Sequence, residues 1–262
     1  MKEDMRLTAF KRLLDIMDEL REKCPWDKEQ TFESLRTMTI EETCELSDAI
    51  MKKDMADIRK ELGDILLHVV FYAKMGNEQQ AFDITDVINS LCDKLVYRHP
   101  HVFSETEVAN ASEVVQNWEQ LKVKEKDGNK TILSGVPNSL PALIKANRIQ
   151  EKAAAVGFDW DKREQVWDKF QEECNELKNE IDKMDKNRME DEFGDVFFSL
   201  VNASRLYGID PETALERTNR KFIYRFTYLE NKTIRQGRSL KDMSIAEMDI
   251  IWEEAKKIKN NS

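Results

Sequence analysis

Apolar residues recur at helical spacing along nearly the whole chain. Phe10, Leu13, Leu14 and Met17 form one stripe near the start, which Pro25 in "CPWD" interrupts. The spacing then predicts helices at about 31–53, 55–77, 84–97 and 112–126. The segment 127–141, "DGNKTILSGVPNSLP", holds two glycines and two prolines and reads as a linker. A second helical series is predicted at about 141–155, 163–183, 187–207, 211–230 and 244–258. No alternating strand pattern is present, so the expected fold class is all-α, with modules at 1–126 and 142–262 joined by 127–141.

The two series repeat one another. "EETCEL" at 41–46 matches "EECNEL" at 172–177, and "ELGD" at 61–64 matches "EFGD" at 192–195, both at an offset of 131. Glu42, Glu45, Glu61 and Asp64 thereby correspond to Glu173, Glu176, Glu192 and Asp195, and Gly63 to Gly194. "KLVYR" at 94–98 matches "KFIYR" at 221–225, and "WEQLK" at 118–122 matches "WEEAK" at 252–256. The chain is a tandem duplication of a helical module.

The repeated acids carry the chemistry. Positions i and i+3 share a helix face, so Glu173 and Glu176 point together, as do Glu192 and Asp195. Apolar neighbours (Leu177 after the first pair, Val196 and Phe197 after the second) put these acids at the border of the buried stripe. A glycine inside a helix costs about 1 kcal/mol against alanine, and Gly63 and Gly194 are expected to serve a close helix approach. If the two helices pack, four carboxylates converge. Two like charges 4 Å apart repel by about 4 kcal/mol at an effective dielectric near 20, so the cluster must lose charge or bind a cation. Oxygen ligands alone favour magnesium, with manganese as a substitute. None of the three histidines follows a glutamate at i+3, which excludes the di-iron bundle pattern. His68 stands opposite Ser199 and is expected to be a local or core histidine rather than a ligand.

Cations and an aromatic complete the set. Lys221 and Arg225 share a face, as do Trp252 and Lys256, and Lys169 lies one turn before Glu173. Carboxylates for metal, Lys and Arg for phosphate and a Trp for a base suit metal-assisted phosphoanhydride hydrolysis. No P-loop is present. A net charge of −10 argues against nucleic-acid binding. The longest apolar run, Ile65 to Ala73, is too short to span a bilayer. Cys24, Cys44, Cys92 and Cys174 form no Cys-x-x-Cys pair and read as reduced thiols of a cytoplasmic protein.

Glu-Glu-x-x-Glu on one helix followed by Glu-x-x-Asp on the next resembles the MazG family of nucleoside triphosphate pyrophosphohydrolases. "CPWDKEQTFESL", "RHPHVF", "SLPAL" and "VGFDW" also resemble its two-domain bacterial members, in order over almost the whole chain. The resemblance implies packed four-helix modules working as a homodimer. It implies Mg²⁺-dependent hydrolysis of nucleoside triphosphates to monophosphate and pyrophosphate, in the service of nucleotide-pool cleansing. It places metal ligands at Glu173, Glu176, Glu192 and Asp195. Nucleotide contacts are implied at Lys169, Glu172, Glu173, Arg188, Met189, Glu190, Asp191, Lys221, Arg225, Trp252 and Lys256. Glu173 or Glu176 is the carboxylate expected to orient or deprotonate the attacking water. The second copy is expected to be the catalytic one, because Lys169 and Arg188 align with Met38 and Asp57. Glu42, Glu45, Glu61, Asp64, Lys94 and Arg98 mark a possible second site in the first copy. The alternative is a non-catalytic helical interaction module whose acids form a solvated face. A relative specialised for one nucleotide is a further enzymatic alternative.

Overall fold

The computed structural model describes residues 4–104 and 130–259, together with 108, 110, 113, 114, 117, 118, 121 and 122 between them. The rest of the helix expected at 112–126 and the start of the 127–141 segment lie outside the described residues. Every regular element described is helical, and the chain divides into two compact units, Met1–Glu107 and Val108–Ser262.

In the first unit, α1 (Met5–Lys23) starts at the Asp4 cap and leads through a short α2 (Pro25–Glu29) into α3 (Phe32–Lys52). Thr31 and Ser34 cap α3 reciprocally, each side chain accepting the other's backbone N–H. Then follow α4 (Met55–Glu78), α5 (Ile84–Arg98) and a single turn, α6 (Pro100–Phe103). Met17, Leu35, Val70, Phe71 and Met75 form the core between α1, α3 and α4, with Phe10, Leu13 and Leu14 packed against it. The apolar stripe at the start of the sequence is therefore the buried face of α1. Ion pairs from Arg21 to Glu78 (2.5 Å) and Lys74 to Asp18 (2.6 Å) hold α1 on α4. His68 is buried in this core as expected, its Nδ1 2.8 Å from Thr39 Oγ1.

In the second unit a 3-10 turn at Leu133–Gly135 precedes α7 (Ala142–Ala154). A further 3-10 turn at Arg163–Gln165 leads into α8 (Val166–Lys183), followed by α9 (Lys186–Leu206), α10 (Pro211–Arg235) and α11 (Ile245–Lys259). α8 packs along α9, α10 along α11, and α7 lies against α9 and α10. Leu229, Met243 and Ile251 form one core cluster. Asp159, in the "VGFDW" stretch, is tied to Arg205 on α9 by contacts of 2.5 and 3.0 Å. The helix predicted to end at 230 continues to Arg235, because Thr233, only 1% exposed, extends the buried face.

Gly63 and Gly194 do not serve the close helix approach expected of them. A Cβ added at either one meets nothing within 4 Å.

Candidate active site

The site begins with a turn. In each unit the first acidic helix ends on a non-glycine residue in left-handed conformation, Lys53 (φ 58°) in one and Met184 (φ 58°) in the other. The next residue is an aspartate cap. Asp54 accepts the backbone N–H groups of Ala56 and Asp57, and Asp185 those of Asn187 and Arg188. The helix therefore reverses within two residues.

This turn fixes the level of the acids. Glu176 lies eight positions before Met184 and Glu192 eight positions after it; Glu173 and Asp195 lie eleven before and eleven after. At 1.5 Å per residue, Glu176 and Glu192 stand at the same height, about 12 Å from the turn, on antiparallel neighbours. Glu45 with Glu61, and Glu42 with Asp64, keep the same distances from Lys53.

In the second unit, carboxylate oxygens of Glu173, Glu176 and Glu192 come within 4.8 Å of one another. Glu173 is 7% exposed, and its Oε1 accepts from Lys169 at 2.8 Å. Lys169 also reaches Glu172 at 2.9 Å, and the two carboxylates, Glu173 first, hold its ammonium protonated well above the usual lysine range. Glu192 is the strained member. Burial, then the charges of Glu176, Asp195, Glu173 and Glu180, raise it above the ordinary glutamate value. Its Oε2 is buried without a hydrogen-bond partner. Asp195 stands outside the set of three, and its charge still acts on Glu192.

Glu180 was not singled out from the sequence. It lies one turn beyond Glu176, is 8% exposed, pairs through Oε1 with Lys183 at 2.7 Å and leaves Oε2 buried without a partner. Its spacing, i+4 from Glu176, was the available signal.

The first unit repeats the arrangement with Glu42, Glu45 and Glu61 within the same 4.8 Å limit. Glu61 is 3% exposed, with Oε2 buried and unpartnered. Burial, then Asp64 and Glu45, raise Glu42, with Glu61 adding to this and His68 opposing it. One cation enters here that the second unit lacks. Lys60 Nζ lies 2.8 Å from Glu61, 3.8 Å from Glu45 and 3.9 Å from Asp64.

The remaining sequence-predicted residues make no ion pair with the clustered carboxylates among the described residues. Arg188 is exposed and pairs with Asp185 at 3.8 Å; Met189 is half-buried, and Glu190 and Asp191 are exposed. Lys221 is exposed one turn before Arg225, whose guanidinium lies 5.7 Å from the Trp252 ring. Trp252 meets Phe222 edge-on at 5.1 Å, and Lys256 pairs with Glu253. Among the described residues no ion pair joins Lys221, Arg225 or Lys256 to the acids. In the first unit Lys94 is exposed and Arg98 half-buried. Lys122 sits 3.4 Å from the centroid of the Trp118 ring.

Carboxylates gather in both clusters, and a hard divalent cation fits the second, where no lysine bridges the two helices among the described residues. The donors are carboxylates from two facing helices, and one member of each cluster, Glu192 or Glu61, has an Oε2 that is buried without a partner. Leaving such a group unpaired is costly, and a cation removes that cost.

Comparison with known proteins agrees with the geometry. The family model for the MazG nucleotide pyrophosphohydrolase domain matches twice, at 30–103 and 162–228, and each match contains one acidic hairpin. The chain is 42% identical over 258 residues to the nucleoside triphosphate pyrophosphohydrolase of Escherichia coli K12, covering 96% of this chain and 98% of that one. It is 44% identical over 250 residues to the nucleoside triphosphate pyrophosphohydrolase/pyrophosphatase MazG of Thermotoga maritima, covering 94% and 95%. The duplicated hairpin, the doubled match and near end-to-end identity place this chain in the MazG nucleotide pyrophosphohydrolase family.

Proposed function

We propose that this chain hydrolyses nucleoside triphosphates to nucleoside monophosphate and pyrophosphate at the Glu173–Glu176–Glu192 cluster of the second unit, with Mg²⁺, and Mn²⁺ as a substitute. The observation that carries the reading is the buried, partnerless Glu192 Oε2 at the meeting point of two acidic helices. A solvated acidic face, the non-catalytic alternative, would leave its carboxylates in water rather than bury them.

The residues divide the work. Glu173, Glu176 and Glu192, with Asp195 near enough to be felt, would hold the cation. When bound, it polarises triphosphate oxygens and lowers the pKa of a coordinated water. Glu173 Oε1 is already engaged by Lys169, whereas Glu176 is exposed and makes no ion pair among the described residues. Glu176 is therefore the carboxylate to orient the attacking water and take its proton. Lys221 and Arg225 would neutralise charge on the phosphates, and Trp252 would stack on the base. The reading extends to a broad substrate range that includes non-standard nucleotides, to pool cleansing in the cytoplasm and to a homodimer. No helix among the described residues is long and apolar enough to cross a membrane. Association is supported by Phe197, Leu200, Tyr207, Ile209 and Leu215, all exposed around one open apolar groove in the second unit.

Product analysis over a triphosphate panel tests the activity. Monophosphate and pyrophosphate are expected, lost with a chelator and restored by Mg²⁺; orthophosphate and diphosphate would overturn it. Light scattering at micromolar concentration is expected to give a dimer mass of about 62 kDa, twice the 30.8 kDa of the chain.

A further inference from the structure

Both units carry the same acidic hairpin, yet among the described residues only the first has a lysine that bridges its two arms. In the first unit the ammonium of Lys60 touches Glu61 at 2.8 Å and lies 3.8 Å from Glu45 and 3.9 Å from Asp64. Glu45 is on α3, and Glu61 and Asp64 are on α4, so this single charge bridges the two helices. A divalent ion held by Glu42, Glu45 and Glu61 would share Glu45 and Glu61 with this ammonium.

The second unit differs at this place, as it does at Lys169 and Arg188. The offset of 131 puts Asp191 opposite Lys60. Lys169, the cation nearest the second cluster, pairs with Glu172 and Glu173, both on its own helix. Among the described residues no Lys or Arg forms an ion pair with Glu176, Glu192 or Asp195. Glu176 and Glu192, which face each other across the second hairpin, thus carry no ion pair among the described residues, while Lys169 engages Glu173 from its own helix.

We infer that Lys60 is the resident cation of the first unit's cluster and excludes a divalent ion from it. The inference rests on the reading that these carboxylate hairpins hold divalent cations. Its physical basis is exclusion: an ammonium and a divalent ion repel one another and compete for the same carboxylate oxygens. Tethering gives the ammonium a high local concentration, whereas the ion must come from solution. The Lys60 side chain is 62% exposed, so its charge can be removed without opening a cavity.

Mn²⁺ binding to the full chain without nucleotide, followed by the paramagnetic resonance of the free ion, tests this without any turnover. In a Glu173→Gln, Glu176→Gln chain the second cluster is silenced, and Mn²⁺ binding should be at least about tenfold weaker than in the unaltered chain. Adding Lys60→Met should restore one ion per chain, at least about tenfold tighter than with Lys60 present, while Lys60→Arg should not. The reciprocal change, Asp191→Lys in the unaltered chain, should weaken Mn²⁺ binding by a similar factor. Equal affinity of the silenced chain with and without Lys60→Met, or tight binding with Lys60 in place, would overturn the inference. If the unaltered chain binds no Mn²⁺ but Lys60→Met gains an ion, the reading of the second unit fails and the exclusion by Lys60 stands.

Discussion

Glu192 shows how a single residue reports on the whole cluster. Its pKa is raised above the ordinary 4.5 by burial and by four neighbouring carboxylates, so the folded state binds its proton more tightly than the unfolded chain does. Its contribution to stability is complete below 4.5 and is lost as pH rises through the raised value. Glu42 has the same sign. Glu247, which accepts the backbone N–H of Ser244 and a contact from Arg238, is lowered to about 2 and acts only in more acidic solution. The metal-free protein should therefore melt at a lower temperature as pH rises from 4.5 through the raised values of Glu192 and Glu42. Saturating Mg²⁺ should flatten that slope, because it favours the ionised carboxylates. Parallel melting curves with and without Mg²⁺ across the window would show that the acids are merely solvated. The acids themselves were legible from their spacing, because i, i+3 pairs at a fixed offset are a property of sequence. Asp195 standing outside the three-carboxylate set was not legible, nor was Lys60 between the arms, because both depend on how two helices meet.

At the scale of the element, the hairpin depends on its turn. Asp185 caps α9 through two backbone N–H groups, and Met184 holds a left-handed conformation that disfavours any side chain with a Cβ. Asp185→Ala is expected to lower stability by about 1 kcal/mol, and Met184→Gly to raise it by up to about 1 kcal/mol, both read from urea unfolding. Most helix boundaries were legible to within a few residues: 55–77 is observed as Met55–Glu78, and 187–207 as Lys186–Leu206. The short α2 and α6 were not, since five and four residues are too few to show a period. The extension of α10 was hidden because Thr233, a polar residue in the sequence, is buried with its hydroxyl donated to the Leu229 carbonyl. The role expected of Gly63 and Gly194 failed because glycine in a sequence does not say whether anything stands beside it.

For the whole molecule, the duplication raises the question of which copy works. The first unit offers Met38 and Asp57 where the second has Lys169 and Arg188, and it places Lys60 among its acids. Glu173→Ala should therefore lose nearly all turnover, by roughly 100-fold or more, equivalent to about 3 kcal/mol of transition-state stabilisation. Glu42→Ala should retain most of it. Steady-state rates on one triphosphate, with helicity checked for both variants, decide the matter. Equal loss in the two variants would assign the chemistry to both units.

The symmetry of each hairpin about its turn also bears on how the protein folds. All the acids of the second cluster fall between Glu173 and Asp195, so they meet across a short loop rather than through distant parts of the chain. Closing so short a loop loses little chain entropy, and contacts of this kind form early and fast. Each carboxylate cluster can therefore assemble as its own hairpin forms, without waiting for distant parts of the chain. The repulsion among its charges then bears on the folding barrier as well as on the finished structure, and a cation that relieves it acts on the rate of folding as much as on the depth of the native state.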